Sequence, residues 1–473
     1  MAYPTQKKPD HKKIAGPRKD GKLRILVAIH GFPPTHYAGA ERAGERIVRW
    51  LAVRGHHVEV FAVERADDPD VRIESSEQDG TLVHRLFYDV KSGASPFHNT
   101  YQHPHVAEAF RNVVAGGAFD LVHMISGYLL GGQVVHIAHE FGLPVVITLT
   151  EYWFMCARLN LLHYDGAMCI GPETDQKCVR CLMEDKRRYR LPAQAAPKLM
   201  DRLWAAAFRT SFADARREEV AFRGRALRQA LEAADLVICP SRFIINKFAE
   251  FGFDTRRFVF VRHGLDAGPA KTAMEEARPD GKLRLGYIGQ IKPHKGVDLA
   301  VEAVTALVDA GYEMSLELWG APTDAPRYFA QLERRTARYP SIQWMGRYDG
   351  ARVWDVLARF DALVVPSRWY ENCPTVVLEA QKMKVPVVAT DLGGMAELVE
   401  HGKSGLLFEL NNVRDLCRQL ERLLCEPGLL AQLREGAPYV KTAGEEVGEI
   451  FDHYMALLQQ RTAGLEAKGQ KEQ

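Results

Sequence analysis

Continuous apolar runs recur along this chain, and between them the pattern turns helical. LRILVAI (23–29) opens a first series, which HVEVFAV (57–63), DLVHMI (120–125), LPVVITL (143–149) and DLVICP (235–240) continue. A strand can be apolar on both faces only when both faces are covered, so runs of this kind belong to a parallel sheet with helices on either side. A second series begins at KLRLGYIG (282–289) and runs through MSLELWG (314–320), IQWMG (342–346), DALVVPS (361–367) and PVVATD (386–391). Strands alternating with helices in two blocks predict an α/β chain of two doubly wound domains. Ligands of such sheets sit beyond the strand carboxyl ends, and two facing domains leave a cleft there.

The expected organisation follows from where this pattern stops. Residues 1–22 are polar, basic and Pro/Gly-punctuated, as a disordered tail is. The first domain spans 23–265 and carries a cysteine-rich insertion at 151–185. Residues 266–281 are rich in proline, glycine and charge and read as a linker. The second domain covers 282–439, a helix 440–463 follows, and 464–473 is a polar tail. GLLFEL (405–410) is one more strand-like run, and periodicity leaves open which domain the 440–463 helix packs on.

Charge and composition exclude several function classes. A net charge of +2 over 473 residues gives no electrostatic basis for a nucleic-acid partner. No segment offers the ~20 continuous apolar residues of a membrane span, and the basic N-terminus lacks the apolar core of a secretory signal. Eight cysteines, four of them scattered among apolar segments, do not form a disulfide framework and point to the cytoplasm.

Two stretches of the second block carry chemistry. GYIGQIKPHKG (286–296) places a strand end, a loop with Lys292 and Lys295, and a helix start in succession, an arrangement suited to a phosphate. It is not a P-loop, and HGKSG (401–405) is not one either, because Glu397 stands where the first P-loop glycine belongs. WYENCPTVVLEAQ (369–381) flanks a helix opening with two carboxylates. Pro374 fits the first turn, which leaves Glu371 in the loop and Glu379 more than a turn inside. The helix alone separates Pro374 from Glu379 by ~7.5 Å. That is too far apart for a glycosidase acid–base pair but suits hydroxyl groups at two ends of one long ligand with an anionic middle.

Four motifs in order resemble the retaining, GT-B-fold glycosyltransferases of family 4. Glu371 and Glu379 form the E-x7-E motif inside PSRWYENCPTVVLEA, and TDLGGMAELVEHGKSGLLFE (390–409) is similar to the following T-x-x-G-G-x-x-E block. GYIGQIKPHKG resembles the phosphate loop, and YAGAER (37–42) the glycine loop after the first strand. The likeness runs from about residue 23 to about 460. It implies two facing Rossmann-like domains, the second binding a UDP- or GDP-type nucleotide sugar and the first a glycan or lipid-linked acceptor. Glu371 would bind donor-sugar hydroxyls, Glu379 the ribose, and Lys295 the diphosphate. Gly289 and Gly39 would allow close backbone approach, and Asn372 and Thr375 would lie along sugar and phosphate through their N–H groups. The resemblance implies front-face transfer with retention, no protein nucleophile and no catalytic metal.

This chain departs from the family pattern in two places. Gln290 stands where the phosphate loop usually has arginine, so leaving-group charge rests on Lys295, with Arg347 or Arg368 as substitutes. Thr150-Glu151 replaces the usual His-Asp pair on the sugar side. Thr150 can donate a hydrogen bond but cannot serve as a base at neutral pH.

Cys156, Cys169, Cys178 and Cys181 follow C-x12-C-x8-C-x2-C, which suggests a structural zinc with His163 able to replace one thiolate; free thiols or a redox disulfide are the alternatives. The arginine-rich helical stretch 184–235 reads as a solvated face or as a surface for peripheral contact with the inner face of a membrane. Its aromatic residues Trp204, Phe208, Phe212 and Phe222 lean toward core. The function expected is hexose transfer to an acceptor hydroxyl in surface polysaccharide or glycolipid assembly. Two alternatives stand beside it. One is a degenerate GT-B protein that only binds nucleotide or scaffolds a partner, motivated by Gln290 and Thr150. The other is a nucleotide-sugar epimerase, which needs acid–base carboxylates.

Overall fold

The computed structural model describes residues 21–36, 39–66, 70–91, 96–266, 268, 281–322 and 325–469. Most of the expected N-terminal tail and linker, Tyr37 and Ala38 of the glycine loop, and the last four residues lie outside them.

Two sheets organise the chain. The first contains β1 (Arg24–His30), β2 (His57–Arg65), β3 (Arg72–Gln78), β4 (Thr81–Tyr88), β5 (Leu121–Ile125), β6 (Val145–Thr148), β7 (Leu236–Cys239) and β8 (Phe258–Phe260). Its order is β3-β4-β2-β1-β5-β6-β7-β8, parallel throughout except for the antiparallel β3–β4 pair. The second contains β9 (Leu283–Ile288), β10 (Met314–Trp319), β11 (Ile342–Gly346), β12 (Ala362–Val365), β13 (Val387–Thr390) and β14 (Gly405–Phe408), in the order β11-β10-β9-β12-β13-β14. Strand order reverses between β1 and β5 in one sheet and between β9 and β12 in the other. These are the switch points, where neighbouring loops diverge and open a crevice.

Burial on both faces explains the apolar runs. β5, β6, β12 and β13 are buried at every residue. One face of the first sheet packs Leu26, Val122, Ile147 and Val237 with Phe110, Val134 and Phe248. The other packs Ile25, Val27, Ile125 and Ile238 with Ile47 and Leu51. That second face also receives Val447, Ile450, Tyr454 and Leu458 from the last helix, Ala443–Gly469. The C-terminal helix therefore crosses back onto the first domain and extends past the expected 440–463. Each such apolar side chain is worth ~1.5–3 kcal/mol when fully buried. Tyr454 Oη lies 2.6 Å from His123 Nδ1, and His123 Nε2 lies 2.7 Å from Thr148 Oγ1. Burial pushes the His123 imidazole down to about 3, so it stays neutral and relays one hydrogen bond on each side.

The β3–β4 hairpin adds an edge that the apolar pattern did not announce. RIESSEQ is exposed along nearly its whole length, so it has no buried face to write into the sequence. Its register comes from β4, whose residues alternate between buried and more open.

Candidate active site

The phosphate-like loop begins where β9 ends, beside β12 at the switch point. After Ile288 the chain runs through Gly289 and Gln290 to a short 3-10 turn, Pro293–Lys295, and then the helix Val297–Asp309. Gly296 sits at φ +69°, and a Cβ there would lie 1.8 Å from the Pro366 carbonyl oxygen. Only glycine meets both conditions, which seats this loop against the one after β12. Two more contacts join the loops: Arg368 N–H donates to the His294 carbonyl at 2.8 Å, and Arg368 Nη1 to that of Pro293 at 3.3 Å.

In this junction Lys295 Nζ lies 2.6 Å from Glu371 Oε1, and Ser367 Oγ donates to the same oxygen at 2.8 Å. Lys295 also lies 4.8 Å from the Trp369 ring centroid. Glu371 is buried, which alone would raise its pKa. The Lys295 charge and hydrogen bond, with Ser367, outweigh that and hold the carboxyl below its usual range. His294 is pushed down to about 4 by burial, with the Lys295 charge adding to it, so it contributes no positive charge at neutral pH.

The helix Thr375–Lys382 starts one residue later than expected, with Pro374 as its N-cap. Thr375 is therefore its first residue, and Glu379 lies inside its second turn. Burial raises the Glu379 carboxyl to about 6, against the pull of Arg42 and Arg46. Both arginines come from the first-domain helix Gly39–Val53, so the two domains meet at this carboxylate. Arg42 reaches Gly350 as well, where a Cβ would lie 2.1 Å from its Nη2.

Asn372 faces the other domain. Its Oδ1 accepts from Ser241 Oγ at 2.6 Å, and its Nδ2 donates to the carbonyls of Leu149 and Thr150 at 3.0 and 3.3 Å. The side chain thus bridges the loop after β12 to the loops after β6 and β7. Glu397 of the T-x-x-G-G-x-x-E block is a second bridge. Its carboxylate accepts from Arg242 N–H, from Phe243 N–H at 2.8 Å and from Arg262 Nη2 at 2.7 Å. That pattern closes the N-terminus of the helix Arg242–Glu250 with a charge matched to its dipole. The glycines of the block have a local reason too. Gly394 N–H donates to the Glu371 carbonyl at 2.7 Å, and a Cβ at Gly394 would stand 1.7 Å from the Asn372 oxygen.

Across the cleft, Thr150 and Glu151 follow β6. Glu151 accepts from Thr150 Oγ1 and, at 2.8 Å, from Ser126 Oγ, which itself sits at φ 60° just after β5. Burial raises the Glu151 carboxyl despite those two hydrogen bonds, and Glu41 adds to the rise. Tyr152 Oη reaches the Tyr370 carbonyl at 3.2 Å. The Thr150–Tyr152 segment and the E-x7-E loop are therefore neighbours in space.

The remaining sequence candidates fall in different places. Gln290 is exposed, and its backbone carbonyl accepts from Tyr287 Oη at 2.7 Å and from Lys292 N–H at 3.0 Å. Arg368 forms a bidentate pair with Asp298 at 2.6 and 2.7 Å and donates to Asn411, so its fork is occupied. Arg347 is exposed. A Cβ at Gly39 would meet open space, whereas one at Gly289 would crowd Tyr287 Oη at 2.9 Å. Sequence reasoning missed Ser241 and Ser126, which lie in no motif, and Ser367 and the Arg42–Arg46 pair, although Ser367 and Arg42 stand inside PSRWYENCPTVVLEA and YAGAER.

Cys156, Cys169, Cys178, Cys181 and His163 line one cavity of about 310 Å³. All four thiols are free. Burial raises Cys156 and Cys181 and pushes Cys178 up to about 12, with the neighbouring thiols adding to the last. Among the described residues, no three His, Cys, Asp or Glu side chains stand in an arrangement that holds a metal.

Comparison with known proteins places this geometry. Residues 38–264 match the family described as Glycosyl transferase 4-like domain, and residues 282–426 the one described as Glycosyl transferases group 1. The chain is similar to D-inositol 3-phosphate glycosyltransferase of Stackebrandtia nassauensis, 32% identical over 449 residues, 90% of this chain and 88% of that protein. It also resembles glycogen synthase of Thermus thermophilus, 30% identical over 154 residues, 33% of this chain and 34% of that one. Sucrose-phosphate synthase from Thermosynechococcus elongatus superimposes with a TM-score of 0.60 at 18% identity, covering 94% of this chain and all (100%) of the other. HepE of Anabaena, in complex with UDP and glucose, gives 0.56 at 16% identity, with coverage of 94% and 100%. At those identities the structural likeness is one of fold.

Proposed function

We propose that this chain, which belongs to the family 4 glycosyltransferases, moves a hexose from a nucleotide-diphosphate sugar to an acceptor hydroxyl with retention of configuration. The observation that carries this reading is the Lys295–Glu371 pair, 2.6 Å apart at the second-domain switch point. In this pair each charge answers the other. A diphosphate arriving beside Lys295 offers it a stronger anion, and Glu371 is then released to accept hydrogen bonds from sugar hydroxyls. Glu379, half-buried on the adjoining helix, would take the ribose hydroxyls. Gly289 leaves room for the backbone to approach the phosphates, and Thr375 N–H at the helix start points its dipole at them.

In the transfer itself the anomeric carbon–oxygen bond to the diphosphate breaks, and the acceptor oxygen bonds the same face of that carbon. The departing phosphate oxygen takes the acceptor proton, so no protein base or nucleophile is needed. Electrostatic stabilisation of the leaving diphosphate supplies most of the rate, and in this chain it comes mainly from Lys295 because Gln290 is uncharged. Thr150 and Glu151 would contact the sugar from the first domain. The acceptor is a surface glycan or a lipid-linked sugar. For the cysteine-lined cavity a structural zinc is supported by the four cysteines that share its lining and opposed by their arrangement, which among the described residues brings no three metal-ligating side chains together.

A donor panel assayed with and without EDTA tests this reading. Transfer from one or more donors, unchanged by EDTA, is expected, with a product of the donor's own anomeric configuration. Nucleotide binding without transfer or hydrolysis would favour the scaffold alternative. Glu371→Ala should abolish transfer and largely spare nucleotide affinity, and wild-type turnover in that variant would refute the assignment. Zinc analysis and thiol titration decide the cysteine site: no metal and four titratable thiols would exclude it.

A further inference from the structure

The chain between β6 and β7 is far longer than a simple crossover and folds into the helices Asp175–Glu184, Arg187–Ala195, Pro197–Ala207 and Ser211–Ala233. They share a small core of their own, formed by Val179, Met183, Ala193, Met200 and Trp204. Trp204 Nε1 donates to Glu184 Oε1 at 2.8 Å, and Arg180 bridges Glu184 and Asp201 at 2.9 and 2.7 Å. These contacts fix the inner face of Pro197–Ala207. Its outer face remains.

Leu199 and Leu203 lie one turn apart on that outer face, 56% and 52% exposed. Lys198 and Arg202 stand beside them at the same spacing, and Arg209 follows. The preceding helix adds Leu191, 52% exposed, with Arg187 and Arg188 at its start. The acidic groups of this stretch are engaged by other arginines: Asp201 and Glu184 by Arg180, and Asp185 by Arg158. Lys198, Arg202, Arg187 and Arg188 form no ion pair among the described residues. Exposed leucines set among unpaired cations fit one kind of surface, negative outside and apolar just beneath. A nucleic acid has the charge without the apolar layer.

We propose that the outer face of the Pro197–Ala207 helix docks on an anionic lipid bilayer, the leucines entering the headgroup boundary and the basic side chains contacting lipid phosphates. The same insertion begins with Thr150–Tyr152, which touches the second domain at Tyr370. A lipid-linked acceptor, as read above, would give such docking its purpose; the binding itself does not rest on that reading.

Cosedimentation of the full chain with phosphatidylcholine vesicles, with and without phosphatidylglycerol, is the test. Binding should require the anionic lipid and weaken as salt is raised. Leu199→Ser with Leu203→Ser, and separately Lys198→Glu with Arg202→Glu, should each lower partitioning about tenfold or more. Thermal melting checks that both variants fold. Folded variants that bind like wild type, or a wild type that ignores phosphatidylglycerol, would overturn the proposal. Vesicle binding needs no donor, so a protein that docks but transfers no sugar refutes the transferase reading alone.

Discussion

Lys295→Met removes the single cation on which the proposed chemistry depends, and two separable losses follow. The first is in stability. The Lys295 side chain is 20% exposed and that of Glu371 10%, so their pair lies between a surface ion pair and a fully buried one. Removing one partner should cost about 1–3 kcal/mol at pH 7, above the ~0.2–1 of an exposed pair and below the ~3–5 of a buried one. The pH dependence carries a sign. Glu371 has a depressed pKa in the folded chain, so its pairing stabilises fully above the unfolded value of roughly 4.3. That stabilisation is lost as pH falls through the folded value, and the gap between wild type and variant should close in acid. The second loss is catalytic. Loss of a preorganised group facing developing charge costs ~10²–10³ in kcat, and Gln290 offers no replacement. Denaturant melts across pH and initial-rate kinetics measure both. Adding Glu371→Gln should restore much of the stability, since a neutral amide no longer needs a cation, yet restore no turnover. A single variant that keeps kcat within about threefold, or a stability gap as wide in acid as at neutral pH, would refute the reasoning.

Three further outcomes are expected. Gln290→Arg should raise kcat by placing a second cation by the diphosphate, read from saturation kinetics with the preferred donor. Donor affinity should fall as pH drops below about 6, where the Glu379 carboxyl gains its proton, by about tenfold per unit at the limit; Glu379→Gln should weaken binding and flatten that dependence in titration calorimetry. Asn372→Ala leaves two carbonyls across the domain junction without their donor, so it should cost about 1–3 kcal/mol and open the domains, visible as a larger radius in small-angle scattering.

Both sheets were legible because a parallel strand buried on two faces writes an unbroken apolar run, as at VVIT and ALVV. The Arg72–Gln78 strand was not, because an exposed edge strand needs no apolar residue. Local motifs identified Glu371, Glu379 and Lys295, and the fold brings the first and third within 2.6 Å. What the sequence could not carry is pairing across the cleft. Asn372 reads as a backbone contact for a ligand, and nothing local shows that its side chain also holds Ser241, 131 residues away. Arg42 and Arg46, four apart on an amphipathic helix, look like any solvated face until the second domain sets Glu379 against them. Arg368 reads as a spare cation for the diphosphate, yet Asp298 and Asn411 occupy its guanidinium.

The central claim is that one nucleotide sugar lies between Glu371 and Glu379 with its diphosphate on Lys295. A structure of the chain soaked with its preferred donor tests it most directly. The account predicts Lys295 Nζ turned from Glu371 to the diphosphate, sugar hydroxyls on Glu371 and ribose hydroxyls on Glu379. A donor bound elsewhere, or one bound here with the Lys295–Glu371 pair intact and its phosphates facing away, would contradict it.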